Sequence, residues 1–411
     1  MSAAATAAER ILAVARQQFL KFGFEKCSMD SVARAARVSK QSLYELYPTK
    51  RDLFEKVIRD AGLSARLAIQ KVVVNDRPPE DVLCDFLMSF FTGFITDEHQ
   101  GLFRATLLAG RCFPDLTEEL HRYRLTGGEA LTNYLAHLNS SGVIRTSDPA
   151  ELQRRLGSTA VEGTRYLMGT PIPSHKEQQV LARRIATLCL RGYRLEASLP
   201  DDAQAVPDAP PPALPNTGAS LRLPQQRLDA LLDAASAEFL NHGYTAANLT
   251  RIVSSVGVSP ATVYRQFGNK RGLFQRSVLH LGASLWADDT PAPPTGETLA
   301  DSLASLAHWT LDRHLDLRSL AFQRMLIIEA EEFPEMARWA YARMLSRPAR
   351  ELHARLQSFG EPAPDAIATR AFFTMATYSI RFIMSAALPD EETRAALSRN
   401  CVELFLAGCG R

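Results

Sequence analysis

Apolar residues recur at helical spacing through most of the chain, and strand-like alternation is scarce. Ile11, Leu12, Ala15, Phe19 and Leu20 share one face of a first helix, predicted over about 6–22 and stopped at Phe22-Gly23-Phe24. Ser28 is the N-cap expected for a short helix over 29–36, with Met29, Val32, Ala33 and Ala36 on its apolar side. After a break at Arg37-Val38-Ser39, a third short helix over 40–46 turns Leu43 inward. Pro48-Thr49-Lys50 then opens a longer helix that buries Leu53, Phe54, Val57 and Ile58. Two short helices joined by a tight turn make a helix-turn-helix pattern.

The same pattern returns 220 residues later without a gap. Leu12 pairs with Leu232, Phe19 with Phe239, Gly23 with Gly243, Val38-Ser39 with Val258-Ser259, Tyr44 with Tyr264, Lys50-Arg51 with Lys270-Arg271 and Phe54 with Phe274. The register persists to Arg104 and Arg324, and to Phe113-Pro114 and Phe333-Pro334. Near the ends it has slipped to 216, where Leu190-Arg191-Gly192 faces Leu406-Ala407-Gly408. A period of this length is too long for a solenoid repeat and reads as a duplicated whole protein. About nine helices are expected in each copy. Between the copies, Pro200–Pro224 holds seven prolines and no Lys, the composition of a solvated, semi-extended tether.

Composition adds two things. Apolar residues make up 46% of the 411 and charged residues 22%, which excludes a disordered or low-complexity chain. No apolar run reaches the 18 or so residues of a membrane span, and the N-terminus does not read as a signal peptide. The formal net charge of +2 is unevenly spread: residues 1–60 and 222–282 each carry +4, leaving −6 elsewhere. Two basic heads on acidic bodies suit a polyanionic partner. The six cysteines make no CxxC pair and no zinc-ligand cluster, so neither a disulfide framework nor a metal site is expected, and the cytoplasm is the expected compartment.

Phe-x-x-x-Gly-Phe, Ser-Met-Asp-Ser-Val-Ala and Val-Ser-Lys-Gln-Ser-Leu-Tyr-Glu-Leu-Tyr-Pro-Thr-Lys-Arg-Asp-Leu-Phe resemble the N-terminal head of the TetR family of bacterial transcriptional regulators. So do Asn-His-Gly-Tyr and Gly-Val-Ser-Pro-Ala-Thr-Val-Tyr-Arg-Gln-Phe-Gly-Asn-Lys-Arg-Gly-Leu-Phe in the second copy. The bodies resemble AefR-like ligand and dimerisation domains. The resemblance implies an all-α chain of two tandem units packed as an intramolecular pseudo-dimer. The expected domains are a head over 6–66 (helix-turn-helix about 29–48), a body over 67–199, a linker over 200–222, a head over 223–283 (helix-turn-helix about 249–268) and a body over 284–411. The last two helices of each unit, about 149–169 and 176–196, and 365–387 and 390–408, are expected to form a four-helix bundle. Ala160, Gly163, Thr164 and Leu167 would there face Ala371, Thr374, Met375 and Tyr378.

The same resemblance implies a double-stranded DNA operator. Lys40, Gln41 and Ser42 open the first recognition helix, where Lys suits guanine and Gln suits adenine. Pro260, Ala261 and Thr262 are their counterparts, with Ser259 before them and Arg265 after; this helix offers mainly methyl groups that suit thymine, and Pro260 donates no hydrogen bond. The operator is therefore expected to be asymmetric. Tyr44 and Tyr264 offer hydroxyls to phosphate, and Ser39 belongs to the same edge. Tyr47 is divided between core and interface. Lys50 and Lys270, at helix starts, are read as phosphate clamps rather than plain surface lysines. Ser28 and Asn248 are caps first and phosphate contacts second. Arg37 stands where the family usually has Gly, which Gly257 keeps. A left-handed backbone there costs about 1 kcal/mol for a non-glycine residue.

No nucleophile elbow, Walker loop, zinc-protease motif or Rossmann glycine run is present, so an enzyme is not expected and no cofactor is implied. Met and aromatic residues in the bodies suit either plain core or a pocket for an unidentified, largely apolar effector. The pocket candidates are Phe103, Arg104, Met168, Trp309, Arg324, Met325 and Tyr378, with Arg104 and Arg324 divided between carboxylate anchors and structural ion pairs. The sequence thus points to a single-chain DNA-binding regulator, expected to be a repressor. A DNA-binding architectural protein and an activator are the alternatives.

Overall fold

A computed structural model describes the chain except residues 1–5, 111–112, 114, 116–117, 119–127, 195–209, 215–222, 288–290, 378, 385–386 and 411. Most of the linker, Cys112, Pro114 and Tyr378 therefore lie outside the described residues. The first unit contains α1 (Ala7–Lys26), α2 (Met29–Ala36), α3 (Lys40–Leu46), α4 (Lys50–Gln70), α5 (Pro79–Phe94), α6 (Asp97–Ala109), α7 (Glu129–Ser140), α8 (Pro149–Ala160) and α9 (His175–Arg191). The second contains α10 (Gln225–Ala246), α11 (Leu249–Val256), α12 (Pro260–Phe267), α13 (Lys270–Leu285), α14 (Leu299–Leu315), α15 (Leu317–Glu329), α16 (Pro334–Ser358), α17 (Ala366–Thr377), α18 (Ser379–Met384) and α19 (Glu391–Ala407). The fold is all-α, with no strand and only the isolated bridge Ile144–Gly410 among the described residues.

The starts of these helices follow from their sequence. Thr6 and Glu9 form a capping box at α1, Ser174 and Glu177 another at α9, and Asp148 caps α8 ahead of Pro149. Both copies bend their first helix at the same glycine, Gly23 (φ 70°) and Gly243 (φ 71°). None of the described helices is long and apolar enough to cross a membrane.

The two bodies share one hydrophobic core that runs from Val82 to Cys409 and also takes in the second head. The first head has a core of its own, built on Ile11, Phe19, Val32, Leu43, Leu53 and Phe54 and closed by Leu102, Ala105 and Ala109 of α6. Across the junction, α8 and α9 pack against α17 and α19, and α6 packs against α15. Polar contacts cross it too: Arg184 to Asp365 at 2.8 Å, Arg155 to the Met375 carbonyl at 2.9 Å, Arg194 to Glu361 at 2.6 Å, and Arg104 to Glu331.

At the far end of the junction the contacts are reciprocal. The Cys409 N–H donates to the Cys189 carbonyl at 2.7 Å, and the Tyr193 N–H donates to the Phe405 carbonyl at 2.8 Å. With a register shift of 216 these are one contact made twice, the mark of a two-fold relation. Gly192 (φ 77°) sits on that axis, and a Cβ there would lie 2.4 Å from the Leu406 carbonyl oxygen, so the chains close only on glycine.

Several expected boundaries move. The helix expected over 149–169 ends at Ala160, because Glu162 (φ 48°) and Gly163 (φ 62°) adopt left-handed backbone and turn the Glu162 carboxylate inward. The helix expected over 176–196 stops at Arg191, before Gly192. The helix expected over 365–387 is helical over Ala366–Thr377 and Ser379–Met384, with Tyr378 outside the described residues. Helices α4 and α13 run through the expected head–body boundaries at 66 and 283 without a break.

Candidate DNA interface and body cavity

Each head presents a short helix held from beneath by one apolar residue. In the first, Ser39 caps α3 through the Ser42 N–H at 3.0 Å, and Leu43 is fully buried against the head core. Lys40, Gln41, Tyr44 and Glu45 are left exposed, Tyr44 at 45%. In the second, Ser259 caps α12 through the Thr262 N–H, Pro260 takes the first helical position, and Val263 is buried. Ala261, Tyr264 (51% exposed) and Arg265 face outward, and Thr262 is half-buried. Two tyrosines at equal register on outward faces have no packing reason to be there, since an exposed ring recovers little from burial.

Ser28 and Asn248 cap the preceding helices through the Ser31 and Thr250 N–H groups. Arg37 is left-handed (φ 54°, ψ 49°) and exposed, at the position where Gly257 (φ 65°) meets open space. Tyr47 is half-buried against the head core, and burial raises its phenol. Phe267 belongs to the core.

Some polar groups on the interface already have partners. Lys40 pairs with Asp30 at 2.6 Å, and the Gln41 amide donates to Glu45 at 3.0 Å. Lys50 donates to the Cys27 carbonyl at 3.2 Å over the Phe24 ring. Lys270 donates to the Thr245 and Ala247 carbonyls at 3.1 and 2.7 Å over the Tyr244 ring. Both lysines therefore tie the carbonyl end of the head's first helix to the start of its fourth, and burial lowers the Lys270 pKa. A phosphate contact has to be shared with that task.

Head and body are joined in the same way twice. Arg51 lies over the Phe113 ring at 5.2 Å and Arg271 over the Phe333 ring at 4.3 Å. Phe113 meets Phe24 edge-on at 5.3 Å, and Phe333 meets Tyr244 at 4.8 Å.

Phe103, Met168 and Met325 are buried core. Arg104 pairs with Glu331 of the other unit, whereas Arg324 donates to the Ile383 carbonyl at 2.7 Å. Trp309 lies between Arg313 and Arg347 on the wall of an open cleft formed with Pro291–Pro294 and α19. Beside that cleft, His308, Asp312 and Glu391 stand close enough to hold a metal. Arg394, however, pairs with both carboxylates, so the cluster reads as an ion-pair network.

An enclosed space lies elsewhere, at the junction. Glu162 and Thr164 reach it from the first unit, and Trp286, Thr310, His314, Tyr341, Met344 and Phe373 line it from the second. Its volume is about 30 Å³, room for one or two waters. His314 is 3% exposed and, among the described residues, neither ring nitrogen has a hydrogen-bond partner. Burial pushes its pKa down to about 4, so at neutral pH it is a neutral imidazole offering one donor and one acceptor. Burial alone would raise the Glu162 carboxyl, but Arg370 from the second unit, Arg165 and the Tyr166 hydroxyl hold it low.

In the 220 register, His314 corresponds to Phe94 and Thr310 to Phe90, with α5 and α14 starting at equivalent residues. In the first unit those two rings stack at 5.9 Å and Phe90 is buried. Where the first body stacks two rings, the second places Thr310 and His314 on the wall of a small space. Sequence reading passed over His314, Glu162 and Arg370. The first was detectable, as a histidine replacing phenylalanine between copies.

The family model for bacterial regulatory proteins of the tetR family matches residues 11–57 and again 231–276. The HTH-type transcriptional repressor ComR of Escherichia coli (strain K12) is 47% identical over 51 residues, which are 12% of this chain and 24% of that protein. The chain thus spans about a quarter of the length of that curated relative. Among solved structures, the flavonoid-responsive regulator FrrA is 23% identical with a TM-score of 0.39, covering 44% of this chain and 92% of the other. A putative TetR-family regulator from Mesorhizobium loti MAFF303099 is 20% identical with a TM-score of 0.40, covering 44% and 93%.

Proposed function

We propose that the chain, whose two heads match the family model for bacterial regulatory proteins of the tetR family, is a cytoplasmic transcriptional repressor working as an intramolecular pseudo-dimer. In this reading one chain places its two heads about one DNA turn apart, roughly 34–36 Å, on an asymmetric operator. The observation that carries it is the pair of outward recognition helices, alike in Tyr44 and Tyr264 and unlike at Lys40-Gln41 and Pro260-Ala261, mounted on reciprocally packed bodies. The matching tyrosines serve phosphate on both sides, and the differing residues read bases. Repression, rather than activation, is supported by the 51-residue likeness to ComR, a transcriptional repressor.

The effector in this reading is a small, largely apolar molecule with one hydrogen-bonding group, taken up at His314 in the second body. The space as it stands holds water alone, so a larger guest enters only by moving its walls. Binding that favours the moved state shifts the spacing of the heads, as differential affinity requires. The first body, filled by Phe90 and Phe94, has the role of a fixed partner.

Selection of bound sequences from a random DNA library, followed by a screen of small molecules for release, tests both parts. An asymmetric site bound by one chain supports the reading. Failure to enrich any sequence overturns it.

A further inference from the structure

We propose that Cys189 and Cys409 form an oxidation site at which a hydroperoxide-class oxidant joins the two units through a disulfide. The two sulfurs lie 3.6 Å apart, one at the end of α9 and the other just beyond α19. Their backbones are fixed: the Cys409 N–H donates to the Cys189 carbonyl at 2.7 Å, the Gly410 N–H to the Leu190 carbonyl at 2.8 Å, and the Arg145 N–H to the Cys409 carbonyl at 2.6 Å. The sulfurs are thus held opposite each other, and side-chain rotation covers the remaining approach to a bond of about 2.05 Å.

The pair exists only because the units differ. In the 216 register Cys189 corresponds to Phe405, and Cys409 to Tyr193. The axis therefore carries two equivalent contacts, one filled by Cys189 with Cys409 and the other by Tyr193 stacked on Phe405. Two copies of the first unit would set Cys189 against Tyr193, and two copies of the second would set Phe405 against Cys409. Fusion of unlike copies brings thiol to thiol once. The other buried thiols have different partners: Cys401 donates to the Phe372 carbonyl, and Cys27 faces Gln18.

The two sulfurs also have distinct roles. The two thiols share a hydrogen bond that either sulfur can donate; this bond and burial push Cys189 well up, whereas the bond draws Cys409 down against its burial. Cys409 is also the more exposed, at 6% against 0% for Cys189. Its thiolate attacks one peroxide oxygen, the O–O bond breaks, one oxygen leaves as water and the other stays as a sulfenic acid. The Cys189 sulfur then attacks the sulfenic sulfur, the S–S bond forms, the S–O bond breaks, and a second water carries off the thiol proton. Two thiols lose two electrons, and one peroxide becomes two waters. None of this rests on the DNA-binding reading.

The test uses the reduced full-length chain, exposed to hydrogen peroxide, then unfolded, alkylated and mapped by mass without reduction. The expected product has lost two hydrogens and yields a peptide containing Cys189 linked to one containing Cys409, a link that dithiothreitol reverses. Its melting temperature exceeds that of the reduced chain. With Cys189→Ser, Cys409 is expected to be trapped by a sulfenic-acid reagent. Recovery of both wild-type thiols fully alkylated, under peroxide that oxidises other cysteines of the chain, overturns the proposal. So does a bridge from either residue to Cys84 or Cys401. The wild-type map decides the matter even if the variant does not fold.

Discussion

The Tyr193 ring lies flat on the Phe405 ring, with centroids 4.6 Å apart and planes within 2° of parallel. One ring comes from each unit, and Phe405 is fully buried, with Phe372 edge-on to it at 4.9 Å. The stack therefore couples the end of one bundle to the centre of the other. Phe405→Ala is expected to lower stability by about 3–5 kcal/mol, the usual range for a buried Phe truncated without collapse. Equilibrium unfolding in urea measures it. The wild-type chain should scatter light as a single chain, and a loss below about 1 kcal/mol would show that the two halves are not held together at this point.

Arg37 carries a strain that its counterpart avoids. Its left-handed backbone costs a residue with a Cβ about 1 kcal/mol relative to glycine, and the gain in unfolded-chain freedom on mutation takes back part of that. Arg37→Gly is expected to raise the midpoint of thermal unfolding slightly. If Arg37 meets a phosphate, the same change weakens operator binding and lowers the salt slope by about 1. Stability and affinity would then move in opposite directions, an outcome that a merely decorative surface arginine cannot produce.

The heads were legible because their helices are punctuated locally. Ser28 and Ser39 cap, Arg37 and Gly257 turn, and Leu43 and Val263 anchor, each within a few residues of what it governs. The duplication made the same evidence count twice. The bodies were harder, because their decisive residues act over long separations. Periodicity carried the helix expected over 149–169 straight through Val161, since nothing nearby announces that Glu162 will be neutralised by Arg370 more than two hundred residues later. Aromatic and Met content singled out Phe103 and Met325, which the fold buries, because richness in such residues does not distinguish a filled space from an empty one.

His314 ties stability to pH. It is buried with a pKa of about 4, against 6.5 when exposed, so the unfolded chain binds the proton more readily than the folded one. Its contribution is complete above about pH 6.5 and is lost as pH falls towards 4, by an amount of order 3 kcal/mol. Glu162, Arg313 and Tyr341 line the same space, and the neighbouring Arg370 and Arg165 hold the Glu162 carboxyl below its usual range. His314→Phe copies the first unit at this position. It is expected to flatten the slope of stability between pH 6.5 and 4, to leave operator binding intact and to abolish release by effector. A variant that still responds to effector would move the effector site elsewhere.

Base reading is expected to differ between the two heads, and the structure shows what each must give up to read. In the free protein Lys40 is paired with Asp30 and Gln41 with Glu45, both on exposed surface, where such pairs are worth at most about 1 kcal/mol. Guanine and adenine edges can therefore displace them. Lys40→Ala or Gln41→Ala should cost about 1–3 kcal/mol at one or two positions of a single half-site and leave the other half unchanged. Asp30→Asn should tighten binding to any sequence, because it frees Lys40 and removes a negative charge beside the phosphates. The second helix offers Ala261 and Thr262 methyl groups and Arg265, so its half-site should be more permissive and biased to thymine. Lys270→Ala should lower stability as well as affinity, because its ammonium group holds the Thr245 and Ala247 carbonyls. Selection from a random library, followed by titrations of each variant at two salt concentrations, separates these effects. Recovery of a perfect inverted repeat with equal information in both halves would mean that the two heads do not read DNA through these residues.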